Sequence, residues 1–202
     1  DSRIGATGAL KHIFAAVGAT KFQFLLNQMV HPTESKRIFS SIQRLISKNA
    51  KFLVVNSQIN AANILHHSLN MFKKTTCTII NEGELRHEMR DKHTDIELLI
   101  RKLSKSINTN YIVITRGSDG SKLFNTKKKK FINSAAYATK IIDKIGTGDT
   151  LMAIFAIFLK NTKNPELSMF ISSIAASHNV QMMGNTVKIS PNLILKTLQH
   201  LI

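Results

Sequence analysis

The stretch Asp143-Lys144-Ile145-Gly146-Thr147-Gly148-Asp149 decides how this chain is read. It lies between a β-like segment at Ile141-Ile142 and a strongly apolar helix expected from about Asp149 to Leu159. Two glycines in a strand-to-helix turn allow backbone N–H groups to converge at a helix N-terminus, where geometry and the helix dipole favour an anion. Asp149 then has two readings. It is a helix N-cap worth about 1 kcal/mol, or a carboxylate beside an anion hole, placed to take a proton from an attacking hydroxyl. Spacing alone leaves both open. The string lacks the Lys-Ser/Thr of a Walker A loop and the G-x-G-x-x-G of a dinucleotide fold, which disfavours those two classes.

Outward from this turn, the text alternates strand and helix. Phe52 to Val55 reads as a short buried strand, Cys77 to Ile80 as a second and Tyr111 to Ile114 as the clearest. Helical stripes separate them: Ile38, Phe39, Ile42, Leu45 and Ile46, then a charged helix from about Gly83 to Arg90. A further helix carries Ile96, Leu99, Ile100 and Leu103, with Thr94 or Asp95 as its cap. This order predicts an α/β fold with a mostly parallel sheet. Leu123-Phe124 and Phe131-Ile132 predict a hairpin around Asn125-Thr126 and four lysines. Pro165 opens a long helix to about Met183, and Ser190-Pro191 starts a terminal one. Residues 1–30 carry no assignable motif.

Composition bounds the function classes. The chain has 202 residues, with 28 Lys+Arg against 12 Asp+Glu, a formal net charge of +16. Its 43% hydrophobic and 20% charged content is that of a globular protein. One domain is the default at this length. The single cysteine, Cys77, excludes an intramolecular disulfide framework and a multi-cysteine zinc site, and points to a reducing, cytoplasmic setting. The longest apolar run, Leu151 to Leu159, is about half of the roughly 20 residues a spanning helix needs, so no membrane association is expected. The chain starts at Asp1 and lacks the basic-then-apolar start of a signal peptide, as expected of a fragment or trimmed piece.

The residues Asp143 to Asp149 resemble the D-T-x-G-A-G-D signature of the ribokinase-like (PfkB) family of sugar kinases. The resemblance implies that Asp149 is the catalytic base and that Gly146, Thr147 and Gly148 supply amides to the transferring phosphoryl group. Lys144 stands where the family has Thr, and Thr147 where it has Ala. Lys144 adjoins Asp143, the region of the monovalent-cation (K⁺) site these enzymes often form. Two further motifs follow the family's order. Asn81-Glu82-Gly83-Glu84 matches N-x-x-E, which implies that Asn81 and Glu84 help organise Mg²⁺ and phosphate; otherwise the four residues are an acidic helix start. Thr115-Arg116-Gly117-Ser118-Asp119-Gly120 resembles the T-x-G-x-x-G turn beside ATP, which implies roles for Thr115, Gly117 and Gly120. The same turn also serves as an ordinary glycine turn before a hairpin. Asn179, on the helix that lines the adenine pocket in the family, is a candidate base contact.

The resemblance covers roughly Phe52 to Ile202. It implies a three-layer α/β/α ribokinase-like fold whose N-terminal strands, sugar-gripping residues and β lid are not recognisable in this chain. The expectation is therefore a single but incomplete kinase domain over 1–202, transferring phosphate from ATP to a sugar or sugar-phosphate hydroxyl. A dimer or a partner segment would complete its site. Residues 55–63 and Glu84-Leu85-Arg86 resemble a bacterial branch tied to heptose or related surface sugars. The rival reading is a catalytically impaired nucleotide-binding remnant or regulatory module. Nucleic-acid binding rests on charge alone, since the basic residues are not interleaved with aromatics. Lys127 to Lys130 reads as a solvated turn, and His66-His67 lacks a third metal ligand.

Overall fold

In the computed structural model, the structure describes residues 41, 45–46, 48–56, 69, 72, 74–182 and 190–201. The chain divides into two compact units, 1–112 and 113–202, with the boundary inside one strand. The unassigned residues 1–30, most of the first helical stripe and His66-His67 lie outside the described residues.

In the first unit, strand β1 (Val54–Val55) runs parallel to β2 (Thr75–Asn81), with Val54 opposite Cys77 and Val55 opposite Thr78. Phe52 and Leu53 precede the strand, although Leu53 O still accepts the Thr76 and Cys77 amides. Cys77 is completely buried, which pushes its thiol pKa up and leaves it an inert core group. Helix α1 (Glu82–Met89) follows β2 directly and stops where Arg90 turns left-handed. The Arg86 guanidinium closes the next loop, donating to Glu82 Oε1 and to the carbonyls of Lys92 and Thr94. Asp95, not Thr94, caps α2 (Ile96–Ser106), because the Thr94 hydroxyl is spent on Asp91 Oδ2. The stripe Ile96, Leu99, Ile100 and Leu103 is buried as its spacing predicts. Strand β3 (Thr109–Thr115) then takes its place next to β2, with Ile112, Val113 and Ile114 fully buried.

In the second unit, the strand order is β3, β4 (Ser121–Asn125), β5 (Lys130–Ser134). The last two are antiparallel and place Phe124 opposite Phe131, with ring centroids 4.6 Å apart. Asn125 Oδ1 accepts the Lys127 and Lys128 amides and so shapes the lysine turn, whose side chains are exposed. Helix α3 (Thr147–Thr162) ends at left-handed Lys163. Asn164 caps α4 (Pro165–Val180), with proline at its first position. Ser190 Oγ accepts the Leu193 amide at the start of α5 (Pro191–Leu201).

The α4 helix is buried along most of its length. Ile171, Ile174 and Ala175 meet Ile194 in a core flanked by Tyr137, Ile154, Phe158, Phe170 and Leu198. Its buried serines stay satisfied: Ser168, Ser172 and Ser177 donate to carbonyls of their own turn, and Ser173 pairs with Ser134. The α/β class holds, and the sheet contains both a parallel pair, β1 with β2, and an antiparallel hairpin, β4 with β5.

Candidate active site

The glycine turn is irregular on its upstream side. Ile141-Ile142 forms no strand, correcting the expected β-like segment: the Ile142 and Asp143 amides both donate to Val180 O, at 2.9 and 3.1 Å. With those donors spent on the end of α4, no ladder forms, and both isoleucine side chains are exposed. Asp143 Oδ1 accepts the Ile145 amide at 2.9 Å, and the Thr147 amide reaches Lys144 O at 3.4 Å. Gly146 then adopts φ 75°, ψ −3°, a left-handed conformation that glycine takes at no steric cost.

Gly146 is the N-cap of α3, and no side chain caps this helix. Thr147 and Gly148 occupy its first two positions, and Asp149 the third. The N-cap reading of Asp149 is therefore wrong. A glycine cap has no side-chain oxygen to accept from the second and third amides, so Gly148 and Asp149 receive no side-chain cap. Gly148 is exposed, and a Cβ added there would meet nothing within 4 Å. Asp149 is half-buried beside it.

Thr147 Oγ1 donates to Asn179 Oδ1 at 3.0 Å, joining two residues that the sequence reading treated separately. Asn179 is buried, 8% exposed, one residue before the carbonyl that anchors Ile142 and Asp143. The preceding residue of α4, His178, has its Nε2 2.6 Å from Thr197 Oγ1. Thr197 Oγ1 also lies 3.1 Å from Leu193 O, the carbonyl one turn back. Burial holds the His178 pKa below its ordinary value. Val180 and Thr197 carry no chemical signal in the sequence, because a backbone carbonyl and a helix-surface hydroxyl belong to no motif.

The Thr115 to Gly120 turn closes through the Arg116 amide on Gly120 O at 2.8 Å, with one 3₁₀ turn over Gly117–Asp119. Its glycines serve the backbone. Gly117 has φ 59° in open space, whereas a Cβ on Gly120 would sit 2.1 Å from Ser134 O. Thr115 is the last residue of β3.

Asn81 and Glu84 belong to the first unit; all the other candidates belong to the second. Asn81 Oδ1 accepts the Glu84 amide and Glu84 Oε2 accepts the Asn81 amide, both at 2.8 Å, a reciprocal capping box at the end of β2. The acidic-helix-start reading is thus realised, and the pair offers a fixed carboxylate and amide oxygen suited to holding a hydrated hard cation. Among the described residues, no group of three or more His, Cys, Asp or Glu gathers as a direct metal cluster. No helix among them is long and apolar enough to cross a membrane.

Known proteins bear on this geometry. The chain is 30% identical over 118 residues to the bifunctional protein HldE of Campylobacter concisus, covering 56% of this chain and 24% of that protein. It is 32% identical over 106 residues to the ribokinase of Arabidopsis thaliana, covering 52% of this chain and 28% of the relative. The chain thus spans about a quarter of the length of these curated relatives. The structure of Arabidopsis thaliana ribokinase complexed with ribose and ATP matches with a TM-score of 0.68 at 21% identity, over 81% of this chain and 53% of that one. Thermotoga maritima ribokinase matches with a TM-score of 0.65 at 18% identity, over 77% and 52%. The fold is ribokinase-like. The pfkB family carbohydrate kinase pattern matches residues 6–192, and the chain belongs to that family.

Proposed function

We propose that this chain carries the phosphoryl-transfer portion of an ATP-dependent sugar kinase. The single observation supporting this most directly is the start of α3: a glycine cap without a side-chain acceptor, open space at Gly148, and Asp149 at the third helical position. In the proposed reaction, a sugar hydroxyl oxygen attacks the γ-phosphorus of ATP. The bond from γ-phosphorus to the β,γ-bridging oxygen breaks, and ADP leaves. Asp149 takes the hydroxyl proton, while the amides of the Gly146 to Asp149 turn stabilise charge on the transferring group.

Mg²⁺, when bound with the nucleotide, supplies charge neutralisation, and Asn81 and Glu84 are the residues proposed to hold it through water. Asp143 marks the proposed region for K⁺. Thr115, Gly117 and Gly120 shape the proposed nucleotide-side turn, and Asn179 is the proposed contact to the base. The substrate proposed is a sugar or sugar-phosphate, of heptose type if the likeness at residues 55–63 and 84–86 carries through. A dimer or a further segment would complete sugar recognition. The buried, unpaired Cys77 suits a reducing cytoplasm.

A nucleotide-binding module without turnover is the second reading, favoured by Lys144 and Thr147 standing where the family has Thr and Ala. Asp149→Asn separates the two. Turnover of ATP across a panel of sugars is expected to vanish in the variant, while calorimetric ATP binding stays within about threefold of the parent. Equal turnover by variant and parent overturns the base assignment. ATP binding by the parent without consumption of any sugar favours the module.

A further inference from the structure

The glycine turn hangs on two consecutive residues of one helix. Upstream, the Ile142 and Asp143 amides both end on Val180 O. Downstream, the Thr147 hydroxyl ends on Asn179 Oδ1. Between them, Lys144 to Gly146 turn through a left-handed glycine, and Gly148 follows, so the backbone has little stiffness of its own here. The α4 helix supplies what the turn lacks. It is buried through Ile171, Ile174, Ala175 and Ala176, its Ser172 and Ser177 hydroxyls bond within the helix and Ser173 pairs with Ser134, so its C-terminal half is a fixed reference.

From this arrangement we propose that Thr147 is a positioning residue: its hydroxyl bond to Asn179 sets the first turn of α3, and with it the Gly148 and Asp149 amides and the Asp149 carboxylate, relative to α4. The proposal rests on the phosphoryl-transfer reading for its kinetic consequence, but not for its structural one. Two of the three ties lie before the turn. Of these three bonds the Thr147 bond is the one that ties the first turn of α3, whose later turns pack along α4, so loss of this hydroxyl loosens the functional end while leaving the chain anchored. Loss also removes a donor from an amide oxygen in a buried setting, which keeps the bond closed in the native state. Near-attack geometry is sensitive to displacements of about 1 Å. Such a shift changes the chemical step more than it changes ground-state binding.

The test compares Thr147→Val, which preserves β-branched shape without a hydroxyl, with Thr147→Ser, which restores the hydroxyl. In Val, kcat is expected to fall at least about tenfold with KM for ATP and sugar within about threefold, and Ser is expected to recover most of the loss. Native-state hydrogen exchange at Thr150, whose amide donates to Gly146 O at 2.9 Å in the first turn of α3, supplies the readout that needs no activity: about fivefold faster exchange in Val and parent-like exchange in Ser, with the α2 amides unchanged. Unchanged exchange in Val overturns the proposal whether or not the parent is active. So does exchange that Ser fails to restore. Absence of parental turnover with the expected exchange pattern overturns the kinase reading and leaves the Thr147 tether supported.

Discussion

Asn81 and Glu84 cap one another: each side-chain oxygen accepts the other residue's backbone N–H at 2.8 Å, at the point where β2 passes into α1. The geometry accounts for the local N-x-x-E pattern by helix capping, and a glutamine at the fourth position can accept the same bond. Charge therefore separates the capping role from the proposed cation role. Glu84→Gln is expected to keep the melting temperature within about 2 °C, a shift well under 1 kcal/mol, while Mg²⁺-dependent turnover falls sharply. Asn81→Ala is expected to destabilise by about 1 kcal/mol through loss of the cap. Full turnover in Glu84→Gln over a Mg²⁺ titration would show that the motif serves the helix alone.

The glycines divide into two kinds, and alanine scanning should sort them. Gly148 is helical, exposed and faces open space, so Gly148→Ala is expected to hold or raise stability by up to about 1 kcal/mol. If an oxyanion packs against that backbone, the added methyl obstructs it, and turnover is expected to drop with the fold intact. Gly120→Ala places a methyl 2.1 Å from Ser134 O at φ 75° and is expected to unfold the hairpin or cost several kcal/mol. Thermal melts paired with ATP consumption check both variants. Unimpaired turnover in Gly148→Ala counts against phosphate approach at this turn.

His178 gives the protein an acid-side weakness. Burial disfavours its charged form, so its folded pKa lies below the unfolded value of about 6.5. The unfolded chain binds the proton more readily, and stability rises with pH through this window. The His178 contribution is full above the unfolded pKa. It declines as pH falls, and is lost once pH passes below the folded pKa. Denaturant midpoints at pH 7.5 and 5.5 are expected to separate more in the parent than in His178→Gln. An equal separation in both proteins would show that the histidine does not contribute.

Local pattern carried a large part of this fold. The α2 stripe, a cap at Thr94 or Asp95, the Pro165 start of α4 and the Leu123 to Ile132 hairpin were all legible, because helical period, capping and turn chemistry act within a few residues. The sequence alone also marked the Gly146 to Asp149 turn as the start of a helix and placed the chain near its family. It misread Ile141-Ile142 as β-like, since apolar branched residues suit a strand wherever a partner strand is available, and here their amides go to Val180 instead. Tertiary structure alone decided that Gly146 rather than Asp149 caps α3, that Gly120 is forced by Ser134 O, and that Thr147 reaches Asn179, 32 residues away. Those outcomes depend on which segments lie against each turn. A side chain's partner across such a distance is chosen by packing, which no local period encodes.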